Sequence, residues 1–228
     1  MPDETLTRPP AAISEEAIEG LFAGSRRVRP QGTGNQSKVW IFADHDPPLV
    51  VKTPRSRGVG RWLSRWMIRR EYRAYERLEG VPGVPHCYGL FRGEWLVLSY
   101  EPGVKIRPKE VQTPHATTPA PSVVGLRRTI AEMHRRGVAH TDLKRHDNLL
   151  YSAEHERITV TDFGTALLRP KNRPPGPVWR WAAQQDWNAW ARYGWSKHPE
   201  FMPPAIARLH RRTLVERVAK SVRDLFSD

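Results

Sequence analysis

Hydrophobic and polar positions follow two periods along this chain, and the elements they predict come in a definite order. Ser14 precedes Glu15, Glu16, Ala17, Ile18, Leu21 and Phe22, which predicts a short helix with a serine N-cap and acids in its first turn. Residues 38–42 and 49–52 are β-rich runs separated by the turn-forming stretch 44–48, the pattern of a hairpin. A helical period with arginine at every fourth position runs over about 60–78. Two more short strands, 88–91 and 95–99, are joined by Arg92-Gly93-Glu94. The first hundred residues therefore read as an antiparallel sheet with one inserted helix.

Residues 102–121 carry Pro102, Pro108, Pro114, Pro119 and Pro121, which predicts a loop or tether between two lobes. From Ser122 the helical period resumes through Val123, Leu126, Ile130 and Met133, with Gly137 placed to stop it. Strands are expected at 149–151 and 158–160. A Pro-rich patch at 170–177 precedes a Trp-rich helix, and a basic amphipathic helix is expected over about 203–226. The expected division is an N-terminal extension (1–24), a sheet lobe (25–101), a linker (102–121) and a mostly helical lobe (122–228).

Composition narrows the class. Of 228 residues, 39% are hydrophobic and nine are Trp, too apolar and aromatic for wholesale disorder. Lys and Arg number 37 against 24 Asp and Glu, a net charge of +13 that favours anionic partners: nucleotide, nucleic acid or an acidic membrane face. The single cysteine, Cys87, excludes an internal disulfide framework and a multi-Cys zinc site, and is expected to be a buried inert thiol. The opening residues have neither a basic start nor an apolar stretch of signal-peptide length, and the strongest apolar run, 95–100, is strand-sized. The expectation is a cytoplasmic protein, soluble or peripheral on the inner face of the cell membrane.

Two features point to chemistry. In the helix over 60–78, Leu63, Met67, Ile68, Ala74, Tyr75 and Leu78 form an apolar arc opposite Arg61, Arg65, Arg69, Arg73 and Arg77, and Glu71 falls inside the apolar arc. A carboxylate facing a core requires a cation, and Lys52, at the end of a Val-Val run, is the candidate. The second feature is His140-Thr141-Asp142-Leu143-Lys144, then Asn148 before a strand and Asp162-Phe163-Gly164 after the next one. Phosphoryl transfer needs a carboxylate to orient and deprotonate a hydroxyl, and oxygen ligands to hold Mg²⁺ on the phosphates. Gly32-Thr33-Gly34 precedes a strand rather than a helix, so it matches neither a dinucleotide fingerprint nor a P-loop. It suits either an ordinary turn or a hairpin lowered over phosphates.

In that order the residues resemble the protein-kinase-like superfamily over roughly residues 30–190. Gly32, Gly34, Ser37 and Val39 resemble the Gly-rich loop, Lys52 the strand-three lysine, Glu71 the helix-C glutamate, and Leu98-Ser99-Tyr100-Glu101 the adenine-binding hinge. The resemblance implies a two-lobed α+β fold with ATP between the lobes. It further implies Asp142 as catalytic base, Lys144 on the γ-phosphate, Asn148 and Asp162 on Mg²⁺, and Lys52 held by Glu71 on the α and β phosphates. The compact size, Lys144 and the Arg-rich helix look closest to bacterial lipopolysaccharide-core sugar kinases and RIO-like kinases. That implies an acceptor hydroxyl on a lipid-linked saccharide or on a protein Ser/Thr.

The sequence departs from the family pattern at several points. Asp147 stands where the family has its Asn and Asn148 comes one place later, so either could be the second metal ligand. Thr141 replaces the usual Arg, and no Ala-Pro-Glu motif follows Gly164. Asp186 reads either as the structural Asp of the helix after the activation segment or as an exposed helical Asp. A pseudokinase that binds nucleotide as a regulatory module is the alternative function. His140, Asp142, His146 and Asp147 could also be read as a metallohydrolase cluster, a weaker match than the kinase motifs. The pairing of Trp62 and Trp66 with arginines, and the basic C-terminal helix, suit an anionic membrane surface. Packing of their apolar faces with solvated arginines is the competing reading, and nucleic-acid binding is a third.

Overall fold

The computed structural model describes residues 13–24, 32–33, 37–54, 59–107, 120–195 and 199–209. The protein is α+β, with antiparallel sheets, and its described residues form two compact units: 1–73 with 85–100, and 74–84 with 101–228. No helix among the described residues is long and apolar enough to cross a membrane.

The first unit is built on a five-stranded antiparallel sheet. Its strands are β1 (Gly32–Thr33), β2 (Ser37–Phe42), β3 (Leu49–Pro54), β4 (Cys87–Phe91) and β5 (Trp95–Ser99), in the spatial order β1-β2-β3-β5-β4. The predicted hairpin forms with Phe42 opposite Leu49, and the turn Arg92-Gly93-Glu94 closes through the Glu94 N–H on the Phe91 carbonyl. Helix α1 (Glu15–Gly24) is capped as expected, the Ser14 hydroxyl accepting the Ala17 N–H at 3.1 Å.

Strand alternation gives the sheet two chemically different faces. One carries Trp40, Phe42, Leu49, Val51 and Val97, and α1 covers it: Ile18 is fully buried there, and the Phe22 ring meets Trp40, Phe42 and Trp95 at 5.3–5.5 Å. The other face carries the row Gly32, Val39, Lys52 and Leu96, each the direct cross-strand partner of the next. Helix α2 (Val59–Arg77) brings Glu71 to that row.

Helix α2 differs from its sequence reading in two respects. Leu63, expected in the apolar arc, is 51% exposed, whereas Ser64 is buried. The arginine stripe is engaged rather than merely solvated. Arg61 and Arg65 both reach Glu94, at 2.6 and 3.2 Å, and Arg69 donates to the Gly93 carbonyl at 2.9 Å. Cys87, expected to be buried, is only partly so.

Among its described residues, the second unit sets three helices against small sheets. Helix α3 (Pro121–Arg135) buries Val123, Leu126, Ile130 and Met133, and ends before Gly137, whose φ of +77° suits glycine. Strand β6 (Val104–Lys105) pairs with β8 (Leu149–Ser152), which pairs with β9 (Arg157–Val160); β7 (Val138–Ala139) pairs with β10 (Leu167–Leu168). Helix α4 (Pro177–Trp195) and the short α5 (Pro204–Leu209) complete the described elements. Trp190 and Trp195 are buried, as packing residues should be, but Trp181 is half exposed.

β6 corrects the reading of 102–121 as a tether throughout. Residues 104–105 lie in a sheet ladder and Ile106 is buried, while 108–119 lie outside the described residues, as does most of the expected C-terminal helix. Residues 82–83 are packed between α3 and β9. Thr129 donates to the Pro82 carbonyl, the Val160 N–H to that of Gly83, and a Cβ at Gly83 would stand 2.7 Å from Thr129 Oγ1.

Candidate functional site

Within the first unit, Lys52 Nζ donates to Glu71 Oε1 at 2.6 Å, with both residues over 90% buried. The carboxylate expected on the apolar arc of α2 thus meets the cation expected for it. Ser37 and Val39 share the Lys52 face of the sheet, and Gly32 is the cross-strand partner of Val39. Gly34 lies outside the described residues.

In the second unit two loops are tied at both ends. One, 140–148, runs from β7 to β8; the other, 161–166, runs from β9 to β10. Since β7 pairs with β10 and β8 with β9, neither loop can drift from the other without breaking a ladder. They are also laced directly. The Thr161 N–H donates to the Asn148 carbonyl at 2.9 Å, and the His140 ring donates through Nε2 to the Thr161 carbonyl at 2.9 Å. Phe163 is fully buried, its ring 4.8 Å from His140 and 5.0 Å from Tyr75.

This lacing sets the candidate chemical groups. Asn148, 3% exposed, donates through Nδ2 to the Asp142 carbonyl at 2.9 Å and lies 3.5 Å from its carboxylate Oδ2. The Asp142 side chain is 33% exposed, with the Arg145 guanidinium 3.9 Å away. Asp162 is exposed and adopts φ +64°, ψ +69°, a left-handed conformation that costs an ordinary residue ~1–3 kcal/mol and clusters at functional sites. Lys144 donates to Gln185 Oε1 at 3.0 Å.

Asp147 is differently engaged. Its carboxylate lies 2.9 Å from Lys105 Nζ, and the hydrogen bond from that ammonium holds its pKa below the usual carboxylate value. Of the two residues left open as a second metal ligand, Asn148 is the one beside Asp142. His140 has Nε2 on a backbone carbonyl and Nδ1 toward the Asp142 N–H at 3.4 Å, so both ring nitrogens face protein groups. Among the described residues no three His, Cys, Asp or Glu side chains gather to hold a metal ion. Glu101, expected in a hinge, accepts from Arg157 at 3.0 Å within the second unit.

Asp186 supports the whole loop. It is fully buried on α4; its Oδ2 accepts the His140 N–H at 2.8 Å and His134 Nε2 at 2.9 Å, and its Oδ1 accepts the Thr141 N–H at 2.8 Å. The reading of Asp186 as an exposed helical residue is thereby overturned. His134 and Gln185 were not singled out by sequence as parts of this site, because their contacts span 52 and 41 residues and carry no local pattern.

No protein-family model matches the chain, and no curated protein matches it.

Proposed function

We propose that the chain is an ATP-dependent phosphotransferase with a two-lobed, protein-kinase-like fold, moving the γ-phosphate of ATP to a hydroxyl acceptor. The observation that carries the reading is the lacing of the two loops, which gathers Asp142, Asn148 and the residue before Asp162 into one hydrogen-bonded piece. The buried Lys52–Glu71 pair adds to it. A buried ion pair often stabilises a fold no better than apolar residues of similar volume, so its presence here favours a functional ammonium held in place.

In this reading the Asp142 carboxylate orients the acceptor hydroxyl and takes its proton as the oxygen bonds to the γ-phosphorus, while the bond from that phosphorus to the β,γ-bridging oxygen breaks and ADP leaves. Lys144 steadies the γ-phosphate, and Lys52, fixed by Glu71, does the same for the α and β phosphates. Gly32, Gly34, Ser37 and Val39 are assigned to the loop and strand that cover the phosphates, and Glu101 to the adenine-binding hinge. The Asn148 amide oxygen and the Asp162 carboxylate are hard donors of the kind Mg²⁺ takes, and the ion would neutralise phosphate charge there. The reading requires both residue sets to act on one nucleotide.

The acceptor class follows from resemblance alone: a sugar of lipopolysaccharide core or another lipid-linked saccharide, or a protein Ser/Thr. The deciding experiment offers each acceptor with labelled ATP to wild type and Asp142→Ala. Transfer by wild type that disappears in the variant is the expected result. Equal signal from both, or none from either, removes the enzyme; if nucleotide still binds, the chain is a pseudokinase module.

A further inference from the structure

We propose that the N-terminal half of α2 docks on anionic lipid bilayers, with Trp62, Leu63 and Trp66 entering the headgroup region. These three side chains are 69%, 51% and 48% exposed. At ~100° per residue they fall within one arc of about 100°, and Ser64, Ile68 and Glu71, buried on the helix, lie away from that arc.

Their exposure is fixed by construction. Arg61 and Arg65 share the Glu94 carboxylate and Arg69 holds the Gly93 carbonyl, so the β4–β5 turn grips the helix by its arginine edge and leaves the indoles outward. The Arg70 guanidinium lies 5.5 Å from the Trp66 ring centre. An indole beside a guanidinium is the combination that rests at a lipid headgroup, the ring among the upper chains and the cation among phosphates.

Charge complementarity selects the occupant. Helix α2 holds six Arg and two Glu, a net +4, within a chain of +13. That balance attracts an anionic leaflet and repels a second copy of this chain. A single-stranded nucleic acid would also meet positive charge, but Leu63 offers no stacking surface, and three arginines are aimed at protein acceptors rather than set as a free row along a phosphate backbone. The inference does not depend on the phosphotransfer reading, since lipid binding needs no nucleotide.

The test is flotation of the full chain with phosphatidylglycerol–phosphatidylcholine vesicles and with phosphatidylcholine alone. Wild type is expected to partition onto the anionic vesicles at least tenfold more strongly, with partition falling as salt rises. Trp62→Ser/Trp66→Ser should lose at least tenfold of that partition, while Trp181→Ser, an exposed tryptophan on α4, should lose none. Equal partition of the double variant and wild type overturns the proposal, and so does equal wild-type binding to neutral vesicles or binding to neither. A wild-type dimer or RNA complex that the double variant abolishes, with no anionic-vesicle binding, also overturns it and assigns the face to that partner. Should the double variant fold poorly, Trp62→Phe and Trp66→Phe carry the test in brominated lipid. Each should remove one quenched indole, and an unchanged quenched fraction in both rejects the docking face.

Discussion

Asp186 Oδ1 accepts the Thr141 N–H at 2.8 Å, and Thr141 is held there at φ +73°, a left-handed conformation that a β-branched residue rarely adopts. The other oxygen takes the neighbouring His140 N–H. A buried carboxylate on α4 thus fixes two consecutive peptide groups immediately before Asp142. Backbone strain at Thr141 persists because the surrounding hydrogen bonds over-determine it.

Asp186→Ala should therefore be among the most damaging single changes in the second unit. It leaves two backbone N–H groups and His134 without their buried acceptor, an expected loss of about 2–5 kcal/mol. Asp186→Asn keeps the volume and one acceptor oxygen and should cost about half as much. Urea denaturation at matched m-values measures both, and an Asp186→Ala variant within about 0.5 kcal/mol of wild type, the size of a routine surface effect, would contradict the supporting role.

The strain can be measured separately. Thr141→Ala and Thr141→Gly both delete the hydroxyl that approaches Thr165, so their difference isolates the backbone conformation. The glycine variant should be the more stable by about 1 kcal/mol, because only it adopts positive φ without a Cβ penalty. An alanine variant equal to or better than glycine would mean that the loop relaxes.

Much of this architecture is legible in the sequence wherever the signal is local. Ser14 before two acids gives α1, and a carboxylate misplaced on the apolar arc of α2 gives the Lys52–Glu71 contact across nineteen residues. Periodicity does not say how far a neighbouring sheet extends, and so Leu63 falls in the predicted apolar arc yet stands in solvent. The proline count over 102–121 hides β6, whose two residues are ordered by a ladder to β8 rather than by their own propensity. Asp186 leaves two readings open for the same reason, since burial on α4 is decided by α3 and the 140–148 loop.

The Lys52–Glu71 pair makes a double-mutant prediction. Lys52→Met or Glu71→Leu alone strands a buried charge and should cost about 3–5 kcal/mol, whereas the double variant should recover most of that loss. Thermal or urea unfolding of the four proteins gives the coupling energy. Under the proposed function the double variant regains its fold without regaining transfer, which separates the ammonium's chemistry from its contribution to stability.

The Lys105–Asp147 contact gives a pH dependence of defined sign. The folded pKa of Asp147 is lowered, chiefly by the Lys105 hydrogen bond, so its contribution is present above the ordinary carboxylate pKa and disappears as pH falls through the lowered value. Both side chains are more than a third exposed, which limits the contribution to about 1 kcal/mol at neutral pH. Asp147→Asn should melt slightly below wild type at pH 7, with the gap closing on acidification. A gap that widens toward low pH would reverse the assigned sign.

Under the proposed function, Asn148 rather than Asp147 is expected to be the second Mg²⁺ ligand, because the two side chains are committed differently. Asn148 is buried with its amide nitrogen on the Asp142 carbonyl, so the nitrogen is used locally and the oxygen is the end suited to a cation. Asp147 is committed to Lys105, and a metal there would have to displace an ammonium. Asn148→Ala should lower transfer on the order of 100-fold or more and raise the Mg²⁺ concentration needed for half-maximal rate. Asp147→Ala should stay within about threefold of wild type, as loss of an exposed ion pair predicts. The reverse ordering in a Mg²⁺ titration of the two variants would move the ligand to Asp147 and require the Lys105 contact to break on binding.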